Sequence, residues 1–115
     1  MGVTIYHNPR CSKSRATLEL LKTKGIEPQV IEYLKSPPTA AELDVLLNQL
    51  GMEPQALLRK NEAAYKEGGL DHPNLDRAAL IAAMVEHPIL IERPIVVANG
   101  QAAIGRPPEN ILSIL

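Results

Sequence analysis

The stretch RPIVVANGQAAIG, residues 93–105, holds two short runs of strand formers split by Asn99-Gly100. Asn-Gly in that setting is the strongest short-range hairpin signal: a type I′ turn needs positive φ at both central residues, and these two adopt it most readily. The later part of the chain is therefore expected to form an antiparallel pair. The beginning obeys a different rule. VTIYH (residues 3–7) reads as a strand, residues 12–24 as a helix stopped by Gly25, and PQVIEYL (residues 28–34) as a second strand. Strand-helix-strand crossovers are right-handed almost without exception and pair their strands in parallel. A parallel pair at one end and an antiparallel pair at the other predict one mixed sheet.

Between them, about residues 37–88, the pattern is helical. Thr39 followed by Glu42 is a capping box, and Leu43, Leu46, Leu47 and Leu50 recur at helical spacing before Gly51 closes the run. PQALLRK and NEAAYKEGG read as short helical pieces. LDRAALIAAMVEH reads as a helix with Leu80, Ile81, Met84 and Val85 inward, ended before Pro88. RPPENILSIL reads as a terminal helix with Ile111, Leu112 and Leu115 as its apolar side. In the first helix Ala16, Leu20 and Leu21 form the apolar stripe, with Leu18 beside it. The order β-α-β, helices, β-β-α is the plan of an α/β, thioredoxin-like fold with a helical insert between its halves. A length of 115 residues fits one such domain, 1–115.

Composition excludes several classes of function. Net charge is −1, which leaves no basic footprint for nucleic acid and no polybasic membrane patch. No apolar run approaches a membrane span, and the N-terminus lacks a signal pattern. A single cysteine cannot form an internal disulfide, so a cytoplasmic chain is expected. His, Cys and carboxylates do not cluster at metal-ligand spacing, so no metal is expected.

That cysteine, Cys11, lies in YHNPRCSKSR, after a strand and at the start of a helix. Most free cysteines are small buried hydrophobes. A helix start offers unpaired N–H groups and a positive dipole end, and Arg10, Lys13 and Arg15 add positive charge, so the position favours a reactive thiolate. Cys-Ser-Lys-Ser has the spacing of a redox Cys-x-x-Cys with the second cysteine replaced. Ser14 is placed either to donate to the thiolate or to serve as a plain first-turn residue. His7 either holds the thiolate charge or caps a strand end. Arg59, Arg93 and Arg106 have the side chain best suited to planar, bidentate binding of an oxyanion. Each alone reads as a surface charge, but Arg93 and Arg106 bracket the hairpin. Pro94 is either a tolerated first strand residue or a cis-proline. Glu19, Lys22, Lys24, Glu86 and Glu92 read as solvated charges.

YHNPRCSKSR, ALLRK, HPILIERPIVV and GRPPE, in this order and spacing, resemble the ArsC family of glutaredoxin-coupled arsenate reductases and their relatives. The resemblance runs over essentially the whole chain. It departs after the cysteine, where Ser-Lys-Ser replaces the Gly-Thr-Ser of plasmid-type members. It implies that Cys11 is the nucleophile toward arsenate, that Arg59, Arg93 and Arg106 bind the oxyanion, and that His7, Ser14 and Arg15 order the loop or lower the cysteine pKa. It also implies that Pro94 is cis and faces the cysteine. No cofactor is expected to be bound. Reduction takes two electrons and the chain owns one thiol, so glutathione is implied as co-substrate and glutaredoxin as partner. A monomer is expected. Two other functions fit the same residues: a glutathione-linked thiol oxidoreductase with another substrate, and a regulatory module like the Spx-type proteins that bind RNA polymerase. The latter carry Cys-x-x-Cys, which Ser14 interrupts here.

Overall fold

Four strands of four residues each form one mixed sheet in the computed structural model, which describes residues 2–115. The chain divides into two compact units: the segment up to Ser36 together with Arg93–Leu115, and Pro37–Glu92. The sheet lies in the first unit. Its strands are β1 (Thr4–His7), β2 (Gln29–Glu32), β3 (Ile95–Ala98) and β4 (Gln101–Ile104), in the order β2-β1-β3-β4. β1 pairs in parallel with β2, Ile5 opposite Val30, and antiparallel with β3, Ile5 opposite Val96. β3 and β4 form the hairpin, with Ala98 opposite Gln101. At its tip Asn99 and Gly100 have φ of 54° and 75°, the positive pair a type I′ turn requires.

The helix α1 (Ser12–Thr23) crosses from β1 to β2. Ile5, Leu21, Val96, Ala98, Ile111 and Ile114 make the core of this unit, with Val3, Leu18, Leu20, Ile26 and Ala103 packed around them. Leu21 is fully buried, and its truncation to alanine would cost about 2–5 kcal/mol. The buried face of α1 differs from the expected stripe. Ser14, Thr17 and Leu21 are buried, Leu18 and Leu20 are half-buried, and Ala16 faces solvent. Polar residues take that face near the N-terminus because their hydroxyls are hydrogen-bonded there, Thr17 to the Lys13 carbonyl at 2.8 Å and Ser14 within the cysteine loop. The C-terminal segment Pro108–Ile114 is a 3-10 helix. Side chains three apart eclipse in that geometry. Ile111 and Ile114 are therefore buried, while Leu112 and Leu115 are exposed, which corrects the expected apolar side. β2 is shorter than expected because the backbone turns at Glu32, closed by amides of Lys35 and Ser36 on its carbonyl.

The second unit holds α2 (Ala40–Leu50), α3 (Pro54–Leu57), α4 (Ala63–Glu67) and α5 (Arg77–Glu86), followed by a 3-10 turn at Pro88–Leu90. The capping box at α2 is complete. The Glu42 amide donates to Thr39 Oγ1 at 3.1 Å, and the Thr39 amide donates to Glu42 Oε1 at 2.9 Å. Gly51 ends the helix at φ 67°. Asp76 caps α5 by accepting from the Ala79 amide at 2.9 Å. α5 packs on α2 and α3, and Leu43, Leu46, Leu47, Leu57, Leu80, Ile81, Met84 and Leu90 are buried. Arg77 Nε donates to Asp44 Oδ1 at 2.8 Å, tying α5 to α2. Leu58 pairs with Ile91 as an antiparallel bridge, through Arg59 N–H to Leu90 O at 2.7 Å and Glu92 N–H to Leu57 O at 2.9 Å. Neither run is long enough to read as a strand in the sequence, and the pairing brings Arg59, opposite Leu90, and Glu92, opposite Leu57, to one side of the bridge. No helix among the described residues is long and apolar enough to cross a membrane.

Candidate active site

The loop between β1 and α1 is a hydrogen-bonded turn built on Asn8. The Asn8 carbonyl accepts from the Cys11 amide at 3.0 Å, and its Oδ1 accepts from the Arg10 amide at 3.0 Å. Pro9 between them pre-sets the turn. The Asn8 amide donates to Ser14 Oγ at 3.0 Å, and Ser14 Oγ lies 2.6 Å from His7 Nδ1. Ser14 and His7 are both buried. Arg15 Nη1 donates to the Pro9 carbonyl at 3.0 Å and straps the loop from outside. Asn8 was not singled out from the sequence, although an Asn-Pro pair before a helix start is the signal that would have found it.

Cys11 is the N-cap of α1, with extended backbone (φ −93°, ψ 123°), and is buried. Burial alone pushes its thiol pKa up. The Ser14 amide, the Arg93 guanidinium charge, the Lys13 amide and a hydrogen bond from Arg93 outweigh that effect, so the pKa falls below the ordinary thiol value. Ser14 acts on the sulfur through its backbone N–H, while its hydroxyl is engaged by Asn8 and His7. His7 is held below its usual pKa by burial and by the charges of Arg15 and Lys22, with Glu32 opposing. Ser14 Oγ accepts from the Asn8 amide, and a neutral imidazole with Nδ1 unprotonated can accept from the Ser14 hydroxyl. His7 thus holds the Ser14 hydroxyl within the loop.

Arg106 Nη1 lies 3.9 Å from Cys11 Sγ and 3.5 Å from the Arg93 carbonyl. Arg93 Nε and Nη1 are buried. Both arginines sit at X-Pro bonds, and both bonds, Arg93–Pro94 and Arg106–Pro107, are cis. The Gly105 amide donates to the Pro94 carbonyl at 2.9 Å, and a Cβ at Gly105 would come within 2.9 Å of Pro94 Cγ and 3.0 Å of Thr17 Cγ2. Only glycine lets the segment before Arg106 approach α1 this closely. Cys11, Arg93 and Arg106 thus converge within the first unit, with His7, Ser14 and Arg15 around the loop.

Arg59 belongs to the second unit. There its Nη1 lies 2.7 Å from Glu62 Oε2 and its Nε 3.9 Å from Glu92 Oε1. Glu92 was expected to be a solvated charge, but it is largely covered and shares Arg59 with Glu62. Sequence distance hid this: Glu92 reaches Arg59 only through the backbone bridge between Leu58 and Ile91. Among the described residues no three His, Cys, Asp or Glu side chains gather as a metal site.

Known proteins resemble this chain over nearly its whole length. The family model for the ArsC family matches residues 6–114. An arsenate reductase of Neisseria meningitidis serogroup B is 53% identical over 114 residues, covering 98% of this chain and 97% of its own. An uncharacterized Escherichia coli protein, YfgD, is 58% identical over 114 residues, covering 98% and 96%. A solved structure described as arsenate reductase from Vibrio cholerae superposes with TM-score 0.98 at 59% identity, covering 100% of this chain and 98% of that one. The mixed sheet with its crossover helix is the thioredoxin-like fold of these proteins. On sequence over nearly its full length and on fold, the chain belongs to the ArsC family.

Proposed function

We propose that the protein reduces arsenate to arsenite, with Cys11 as nucleophile and an external thiol supplying the second sulfur. One observation carries the reading: a lone cysteine, with its pKa lowered, caps a helix start with an arginine Nη1 3.9 Å from its sulfur. Arsenate reductases among the relatives support the choice of oxyanion.

In this scheme the Cys11 thiolate attacks arsenic(V), one arsenate oxygen leaves as water, and an S–As bond forms. Arg93 and Arg106 offset the oxyanion charge beside the sulfur. Arg59 is proposed as a third oxyanion ligand on the family pattern alone. Glutathione thiolate then attacks Cys11 Sγ. The S–As bond breaks, its electron pair stays with arsenic, and arsenite leaves. A mixed disulfide between Cys11 and glutathione remains, and glutaredoxin reduces it. Two thiols give the two electrons, and the single cysteine of this chain supplies one of them.

The test is arsenate-dependent NADPH oxidation with glutathione, glutaredoxin and glutathione reductase. Activity that vanishes in Cys11→Ser is expected. Full activity in the serine variant would overturn the reading. No arsenate turnover, with Cys11 still glutathionylated, would transfer the site to a thiol oxidoreductase of another substrate.

A further inference from the structure

We propose that Asn99-Gly100 is a site of spontaneous deamidation. The hydrogen bond from Asn99 Nδ2 to Ile114 O restrains the reaction in the folded chain, and the product releases the C-terminal segment from the hairpin tip.

The sequence holds six asparagines, and only Asn99 precedes a glycine. The reaction needs the next residue's backbone nitrogen to reach the asparagine Cγ, and glycine, with no side chain, leaves that nitrogen unshielded. Asn8 is the opposite case, because Pro9 after it has no N–H to give up. Asn99 and Gly100 are both exposed, so water reaches the tip. A two-residue turn closes its hydrogen bonds between the flanking residues, here Ala98 and Gln101, and leaves the Gly100 nitrogen out of them.

In the reaction the Gly100 nitrogen attacks Asn99 Cγ and loses its proton. The Cγ–Nδ2 bond breaks, and ammonia leaves with that proton. A cyclic succinimide remains, and water opens it at either carbonyl to give aspartate or isoaspartate. No electrons change hands, so no oxidant or reductant is required.

Ring closure needs the Asn99 side chain to swing over the following peptide bond. In the folded chain the leaving nitrogen is held, because Nδ2 donates to Ile114 O at 2.9 Å. That carbonyl belongs to the C-terminal 3-10 helix, which buries Ile111 and Ile114 and packs on β3 and β4. The reaction therefore waits on a local opening that lifts this segment from the tip. Both products lose the donor. A carboxylate at residue 99 is an acceptor facing another acceptor, the Ile114 carbonyl. Aspartate still suits the type I′ turn. Isoaspartate carries the main chain through Cγ, which lengthens the turn and breaks its match to the strand register.

The experiment follows the full chain by peptide mass spectrometry during incubation at neutral pH, folded and in urea. In urea, residue 99 should gain the mass of amide-to-carboxyl conversion before any other asparagine. In the folded chain the same conversion should run about ten-fold slower or less. Ile114→Ala, shown to be folded by a thermal melt, should react several-fold faster than the unchanged chain held in urea at matched stability. Ile114→Val takes its place if the alanine variant does not fold. Asn99→Asp should lower the folded-to-unfolded ratio about five- to ten-fold in a denaturant titration. The aged chain, which also contains isoaspartate, should lose more. No preference for residue 99 in urea would remove the site. Equal rates in the folded and unfolded chain would overturn the restraint. Ile114→Ala no faster than the stability-matched chain would overturn the role of the hydrogen bond. Asn99→Asp as stable as the unchanged chain would overturn the release of the segment.

Discussion

The chain begins two of its helices in opposite ways. At α2 the start is closed: Thr39 and Glu42 exchange hydrogen bonds and satisfy two of the amides that a helix leaves unpaired. At α1 the start is open. Cys11 makes no side-chain capping bond, no acidic residue stands in the first turn, and the Lys13 and Ser14 amides bear on the sulfur. A closed start serves stability alone. An open start leaves positive potential for a negative charge, and here the Cys11 sulfur stands at it, with its pKa lowered. The same sequence position, the residue before the first helical turn, makes capping hydrogen bonds in one unit and sets a sulfur against helix amides in the other.

Converting the open start into a closed one should break function most severely. Cys11→Ser places a strong capping residue at α1, so stability should hold while arsenate reduction falls by roughly three orders of magnitude or more. Turnover in the coupled assay and a thermal melt measure the two effects separately. Arg93→Ala comes next. It removes a charge and a hydrogen bond from Cys11, so the thiol pKa should rise and kcat/KM should drop by about a hundred-fold. Opening the closed start has a smaller effect of another kind. Thr39→Ala should cost about 1 kcal/mol of stability in a denaturant titration and leave the Cys11 alkylation rate unchanged.

The smallest expected effect is on pH dependence. His7 has a folded pKa below its ordinary 6.5, so as pH falls through 6.5 the unfolded chain takes up the proton first. Stability should therefore decline with falling pH from 6.5 down to the folded pKa, and be flat in this contribution above 6.5. A His7→Asn variant should lose that slope in melts recorded against pH.

Local rules made much of the molecule readable in advance. Asn99-Gly100 forces its turn by backbone sterics, and Thr39 with Glu42 forces a helix start by short-range hydrogen bonds. Cys11 at the head of α1 follows from the strand and helix patterns on either side of it. Features set by tertiary context were hidden. The C-terminal segment chose 3-10 geometry, and its buried side followed. Ser14 and Thr17 took the inner face of α1 because each finds a hydrogen-bond partner there, which a hydrophobicity pattern cannot reveal. Glu92 meets Arg59 only through the backbone bridge between Leu58 and Ile91.

The most direct measurement is the rate of Cys11 alkylation by iodoacetamide against pH, with and without arsenate. The account predicts a titration midpoint below the ordinary thiol value of about 8.5, and protection when arsenate is added. A midpoint at or above that value, with no protection by arsenate, would contradict it.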